Sequence, residues 1–177
     1  ATADVLQGAV NPGGKLPVTF PRGEGQIPVH YNHNSTGRFN PRYLDMPVTP
    51  LFPFGFGLSY TSFAIDGLDV QPQVVQPGSK VRVSVTVTNT GGRDGEEVLQ
   101  CYLQDCVSRL TRPVRELKGF ARVALKASES QRVSFELGAD ELSYYGPGGQ
   151  WVLEPGEFKV WVGGDSNASL EGSFRVT

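Results

Sequence analysis

Cysteine is scarce in this sequence: two residues in 177, alongside two histidines and one methionine. So little sulfur excludes a disulfide framework or a thiolate metal cluster as the means of holding the chain together. Long apolar runs are missing as well, since no stretch approaches the roughly 20 residues that a membrane-spanning helix needs. Nor does the sequence open on a methionine or a signal peptide. Charge of one sign is also lacking. Sixteen lysines and arginines against eighteen aspartates and glutamates leave a formal net charge of −2. That is too small and too evenly spread to attract nucleic acid or an anionic lipid surface. Neither nucleic acid nor a membrane is an expected partner. Helical periodicity is confined to two short stretches, 1–8 and 139–145. The length still allows one domain plus an appendage, or two small domains, with a hydrophobic core that needs no staples.

What is present in quantity is alternation. In KVRVSVTVTNT (80–90), Val81, Val83, Val85 and Val87 share one face and Arg82, Ser84, Thr86 and Thr88 the other, as a half-buried antiparallel strand requires. The loop Asn89–Gly95 follows, rich in residues that tolerate positive φ. EVLQCYLQ then places Leu99, Cys101 and Leu103 together. Further strands are expected in FAIDGLDVQ (63–71), VRELKGFARVAL with a kink at Gly119, QRVSFEL, QWVLE, FKVWVGG and SFRVT. Gln76-Pro77-Gly78 reads as a turn, and ADELSYY (139–145) as a single helical turn. About seven short strands at this spacing predict a mainly β protein, an immunoglobulin-like antiparallel sandwich.

Residues 1–62 follow a different pattern. Ala1–Gly8 reads as the last turns of a helix stopped by Gly8, and Asn11-Pro12-Gly13-Gly14 as a turn. In KLPVTFP, Pro17 and Pro21 allow at best an edge strand. The rest, to Pro53, is loop punctuated by proline, and it needs a surface to lie against, because such a segment cannot bury enough apolar area alone. Residues 1–50 are expected to lie on the sandwich or on a neighbouring copy of the chain, with at least a quarter of their apolar side chains buried.

Few residues suggest chemistry. Cys101 and Cys106 are five apart, which on a strand turns the thiols to opposite faces. Two free, partly buried thiols are the plainer reading, and a disulfide needs a bulge or turn. His30 and His33 are spaced H-x-x-H, but Asn32, Asn34 and Gly37 place them in a loop without an evident third ligand, so no metal site is expected. Trp151 and Trp161 invite a sugar-stacking reading, although a Trp packed in the sandwich is commoner. Trp161 faces away from Val160 and Val162, toward solvent or a neighbouring domain. PLFPFGFGLSYTSF (50–63) carries five rings, Phe52, Phe54, Phe56, Tyr60 and Phe63. They form either a ligand platform or a packed junction.

Six stretches, ADVLQGAVNPGGKLPVTFP, GQIPVHYNHNSTGR, RYLDMPVTPLFPFGFGLSYTSF, VTVTNTGGRDGEEVLQCYLQD, RPVRELKGF and EPGEFKVWVGGDS, together resemble the C-terminal part of glycoside hydrolase family 3 enzymes of the β-glucosidase type. The resemblance covers nearly the whole chain, in the family's order. It implies a catalytic barrel, a second α/β sandwich domain and a C-terminal fibronectin type III-like domain. On that division residues 1–50 are the remnant of the second domain, 51–62 an aromatic junction and 63–177 the fibronectin type III-like sandwich. The family is a retaining glycosidase, which needs two carboxyl groups about 5–5.5 Å apart, and in the family these belong to the barrel and the second domain. Both would lie upstream of Ala1. The implied function is therefore a non-catalytic structural segment that braces the catalytic domains of the same parent chain. The parent's substrate is a terminal β-D-glucoside, met only through the parent, with no cofactor and with a periplasmic or secreted location. The alternative is a stand-alone carbohydrate- or protein-binding immunoglobulin-like module.

The carboxylates on hand are poor catalytic substitutes. Asp94, Glu96, Glu97, Asp140 and Glu141 are expected to be solvated, so no catalytic residue is expected in this chain. Arg42, Tyr43 and Asp45 are the candidates for the rim of the parent's pocket, with a local ion pair of Asp45 to Arg38 or Arg42 as the plainer reading. The five rings of 52–63 are then read as an interdomain clasp, each contributing roughly 2–3 kcal/mol if fully buried, with Phe52 or Phe54 exposed if its partner is absent.

Overall fold

Val81, Val83, Val85 and Val87 project to one side of their strand and are wholly buried, as the two-residue period of a strand dictates. The computed structural model describes residues 2–35 and 46–177. Ten strands form among them: β1 Phe63–Gln71, β2 Val74–Val75, β3 Val81–Asn89, β4 Gly95–Asp105, β5 Glu116–Leu125, β6 Ser130–Leu137, β7 Tyr144–Tyr145, β8 Trp151–Val152, β9 Gly156–Gly163 and β10 Leu170–Val176. All but β2, β7 and β8 have seven residues or more, which matches the expected set of about seven strands.

One sheet has the order β1-β3-β6 and the other β2-β10-β9-β4-β5. Pairing is antiparallel except between β2 and β10. The chain changes sheets at Pro72, where a residue without an N–H ends the β1 ladder. Between the sheets, the valines of β3 meet Leu99, Cys101 and Leu103 of β4, Phe158, Val160 and Val162 of β9, and Phe174 of β10. Phe158 and Phe174 stack with centroids 5.4 Å apart. The kink expected at Gly119 is a bulge: Cys101 pairs with Gly119 and Tyr102 with Leu117, leaving Lys118 without a partner in the ladder. The strand expected at QWVLE is reduced to Trp151–Val152, which pairs with β7 in a hairpin outside both sheets.

The N-terminal segment holds one short helix, α1 Thr2–Leu6. Gly8 ends it with φ 75° and an N–H donated to the Val5 carbonyl at 2.9 Å. The expectation that this segment buries its apolar side chains does not hold. Leu6, Val10, Val18, Phe20 and Ile27 are exposed, and among the described residues of 1–50 the buried side chains are those of Thr19 and Gln26. Backbone satisfaction rather than apolar area fixes its path: Gln26 accepts from the Arg22 N–H and donates to the Pro47 carbonyl. Nor do Asn11–Gly14 form a turn. Asn11 instead bridges two loops, donating to the Asp94 carbonyl at 2.9 Å and accepting from Tyr60 N–H at 2.8 Å.

Asn89 ties this path to the sandwich. It is wholly buried, donates to the Arg93 and Leu125 carbonyls, and accepts from the Thr61 hydroxyl and the Gly91 N–H. The glycines after it tolerate positive φ, but none of Gly91, Gly92 and Gly95 adopts it. Gly91 and Gly95 supply room instead: a Cβ on Gly91 would lie 2.2 Å from Thr61 Oγ1, and one on Gly95 2.7 Å from Asn11 Nδ2.

Replacing Asn89 with Ala strands four partners, so Asn89→Ala should lower the unfolding free energy by roughly 2–4 kcal/mol in urea titration. A loss below about 1 kcal/mol would contradict this role. Both cysteines are free, and burial pushes the Cys101 thiol up to about 12. Since the thiolate is the reactive form and stays protonated below that value, Cys101 should resist a thiol reagent in the native protein at mildly alkaline pH and react after denaturation. Rapid native labelling of Cys101 would show the burial to be wrong.

Candidate functional site

An antiparallel sheet with one face on the core usually turns the other to water. β4 breaks that pattern, for every residue from Leu99 to Leu103 is buried. Leu99, Cys101 and Leu103 point into the core, while Gln100 and Tyr102 point outward and are still covered. Opposite Tyr102 in register stands Trp161 of β9, only 7% exposed. The cover is the N-terminal segment. Tyr31 stacks on Phe54 at 4.5 Å and meets Tyr102 edge-on at 5.7 Å. From the other side the Arg115 guanidinium lies over the Trp161 ring at 4.6 Å. A second, smaller core results, built on Tyr102, Trp161 and Ala168 with Tyr31, Phe54 and Leu117 against it.

Polar groups fix this seam. Gln100 donates to the carbonyls of Gly164 at 2.7 Å and Gly55 at 3.3 Å, and accepts from the Tyr102 hydroxyl. Gly55 has φ 81°, and a Cβ there would lie 2.2 Å from Gln100 Oε1, so glycine is required twice over. The Ser166 N–H donates to the Phe54 carbonyl at 2.9 Å, and Leu117 N–H to the Tyr31 hydroxyl at 3.2 Å. Arg115 donates to the carbonyls of Ser166 and Ala168. Lys15 and Glu97 pair at 2.6 Å with both side chains mostly shielded. Burial pushes the Tyr102 phenol up and the Arg115 guanidinium down. Arg115 nonetheless stays charged, because its ordinary value lies so far above neutrality. At the edge of the seam Glu171 is held below the usual carboxylate range by the Lys159 ammonium and by the Trp161 indole N–H, which donates to it at 2.8 Å.

The rings predicted to form a clasp are treated unequally. Phe54 enters the seam, and Phe63 packs on the main core. Phe52 and Tyr60 remain 37% and 44% exposed. Phe52 stacks on Phe56 at 4.9 Å and meets Phe20 edge-on at 6.4 Å. Tyr60 acts through its hydroxyl, which donates to the Val5 carbonyl at 2.7 Å. The expected solvation of Glu97 is also overturned, by its pairing with Lys15. Arg42, Tyr43 and Asp45 lie outside the described residues.

Beside the seam runs a groove of about 630 Å³, walled by Val29, His30, His33, Thr49, Arg115 and Trp161 among others. None of the described residues lining it is an aspartate or glutamate, so they hold no carboxylate pair for acid–base work. His30 and His33 are exposed, with His33 Nδ1 2.9 Å from the Asn34 carbonyl. Among the described residues no three His, Cys, Asp or Glu side chains gather as metal ligands.

Sequence reasoning missed Lys15, Tyr31, Gln100, Tyr102 and Arg115. The available signal was the outward set of LQCYLQ, where a tyrosine sits between two glutamines. Its meaning depends on the register that sets Tyr102 against Trp161, and local alternation does not supply that.

Comparison with known proteins agrees with this two-part construction. Residues 1–60 match the glycosyl hydrolase family 3 C-terminal domain, and residues 97–166 the fibronectin type III-like domain. The chain is 45% identical over 185 residues to the periplasmic beta-glucosidase of Salmonella typhimurium, covering 99% of itself and 24% of that protein. It is 40% identical over 176 residues to a putative beta-xylosidase of Formosa agariphila, covering 99% of itself and 23% of the relative. The crystal structure of the beta-glucosidase from Listeria innocua in complex with glucose superimposes with a TM-score of 0.93 at 42% identity, over 99% of this chain and 26% of that one. The chain thus spans about a quarter of the length of the relatives it matches. It belongs to glycoside hydrolase family 3, of which it carries part of the C-terminal domain together with the fibronectin type III-like sandwich.

Proposed function

We propose that this chain is a non-catalytic C-terminal segment of a retaining β-glucosidase, and that it braces the catalytic domains of the same protein without doing chemistry itself. The observation that carries this reading is the seam. A face of the sandwich that could have served a ligand is committed to holding residues 15–35 and 46–62 in one position. On this reading residues 1–50 end the family's second domain, 51–62 are the junction and 63–177 the sandwich, with the nucleophile and acid/base outside these residues. The whole protein would act on terminal β-D-glucosyl residues. The name of the Formosa relative makes β-xylosyl residues the alternative substrate, and that of the Salmonella relative supports a periplasmic or secreted location. A binding module is the second reading, favoured by the exposure of Trp151 and Tyr145.

The purified 177-residue chain should show no turnover of an aryl β-glucoside or β-xyloside, whereas the protein that includes a family 3 barrel should hydrolyse at least one of them. Measurable hydrolysis by the chain alone would overturn the non-catalytic assignment. For the brace, Tyr31→Ala removes a ring stacked in the seam and an acceptor for Leu117. Amide exchange at Leu16 and Gly55, whose N–H groups bond within the segment, should speed by about tenfold or more. Exchange in β3 should hold, and Tyr31→Phe should stay near wild type. Unchanged exchange in Tyr31→Ala would mean that the rings do not fix the segment.

A further inference from the structure

The two tryptophans meet opposite fates. Trp161 is sealed into the seam, while Trp151 stands 69% exposed on the β7–β8 hairpin. Its cross-strand partner is Tyr145, itself 62% exposed. Period-two alternation explains the pair: Tyr144 turns inward, buried beneath the Arg112 guanidinium at 5.1 Å, so its neighbour Tyr145 must turn out. The outward rings lie 5.6 Å apart at 74°. This edge-to-face arrangement leaves a broad ring surface open. The turn that carries them is closed by hydrogen bonds. Gly146 donates its N–H to the Gln150 carbonyl at 2.8 Å, Gly149 to the Gly146 carbonyl at 3.1 Å, and Gly149 takes φ 77° to close the turn.

Two polar groups flank the rings. The Tyr145 hydroxyl reaches over the turn to 3.7 Å from where a Gly149 Cβ would sit, and the Gln150 amide folds over Gly148. From Ser143 to Val152 no residue carries a charge. We propose that this hairpin is a stacking platform for a neutral β-linked glucan chain, with Trp151 and Tyr145 as the ring surface and the Tyr145 hydroxyl and Gln150 amide as hydrogen-bonding groups. Pyranose rings have C–H faces that pack on aromatic faces, and hydroxyls at their edges that need neutral partners. A stable protein interface needs about 800 Å² on each side, which two rings on a two-residue ladder do not supply. The absence of charge likewise disfavours an ionic partner. The choice of glucan rests on the β-glucosidase reading above; the platform itself rests on the hairpin.

The test is binding without turnover. The 177-residue chain is co-sedimented with insoluble β-1,4-glucan and β-1,3-glucan, and titrated with the corresponding soluble oligosaccharides by tryptophan fluorescence and calorimetry. Binding to at least one is expected, with Trp151→Ala and Tyr145→Ala each weakening it by about tenfold or more. Thermal midpoints should be unchanged, since both side chains are exposed. Gln150→Ala should weaken binding less. No binding to either glucan at millimolar oligosaccharide would overturn the proposal, as would equal binding by Trp151→Ala. A dimer dissolved by Trp151→Ala, in a chain that binds no glucan, would overturn it too and assign the hairpin to a second copy. Failure of the barrel-containing protein to hydrolyse aryl glycosides would count against the enzymatic reading and leave this measurement standing.

Discussion

Tyr102 sits on the outer face of a sheet and yet is wholly buried, and much of the remaining architecture follows from that. A tyrosine and a tryptophan paired across β4 and β9 would leave a large apolar patch in water if the sheet ended the molecule there. Something must cover them. The proline-punctuated segment does so with a minimum of rings, Tyr31 and Phe54, while its Val18, Phe20, Ile27, Val48, Leu51 and Leu58 stay exposed. The cover is therefore held as much by direction as by area. Gln100 reads the backbone on both sides, taking the carbonyls of Gly55 and Gly164, and the left-handed turn at Gly55 brings the segment close enough to be read.

Burial at the seam makes its polar groups decisive. A buried side-chain amide without partners costs on the order of 1–3 kcal/mol, so Gln100 and Asn89 stabilise only the arrangement in which every partner is present. Both are satisfied from more than one part of the chain. Asn89 draws on residues 61, 91, 93 and 125, and Gln100 on 55, 102 and 164. Shifting the segment along the sheet would break several of these bonds together. The Lys15–Glu97 pair adds a charged lock at the same level. Its shielding from water places it between the surface pairs that are worth little and the buried ones that are costly to break. The two halves thus form one unit through specific contacts, and this suits a brace better than a loosely docked appendage.

The sandwich was legible in the sequence because its cause is local. Alternation of valine with polar residues in β3, the Gly-Pro turns and the aromatic strands each act over a few residues, and the start of β1 at Phe63 could be read directly. The seam was not legible, because its cause is register. Tyr102 and Trp161 are 59 positions apart in sequence, and nothing near either one says that they face each other or that residue 31 lies on top. The glycines show the same limit. Gly91 and Gly95 look like turn residues, but their reason is the approach of Thr61 and Asn11. Glu97 looked solvated for want of knowledge that Lys15 lies beside it. The family resemblance placed the segment next to the sandwich; it did not supply the contacts.

The same distinction decides what the aromatic residues do. PLFPFGFGLSYTSF and QWVLE are both rich in rings near glycine and proline, and by composition either could grip a ligand. In the first, Phe54 finds Tyr31 at stacking distance and Ser166 on its carbonyl, so its surface is spent internally. In the second, the ladder is two residues long and lies outside both sheets, and Trp151 stays exposed. A ring that is buried on both faces carries stability and geometry. A ring that is fixed beneath and open above is available for recognition. Register assigns Trp161 to the first class and Trp151 to the second, and the division between bracing and binding in this chain follows from where each indole falls in the pairing of strands.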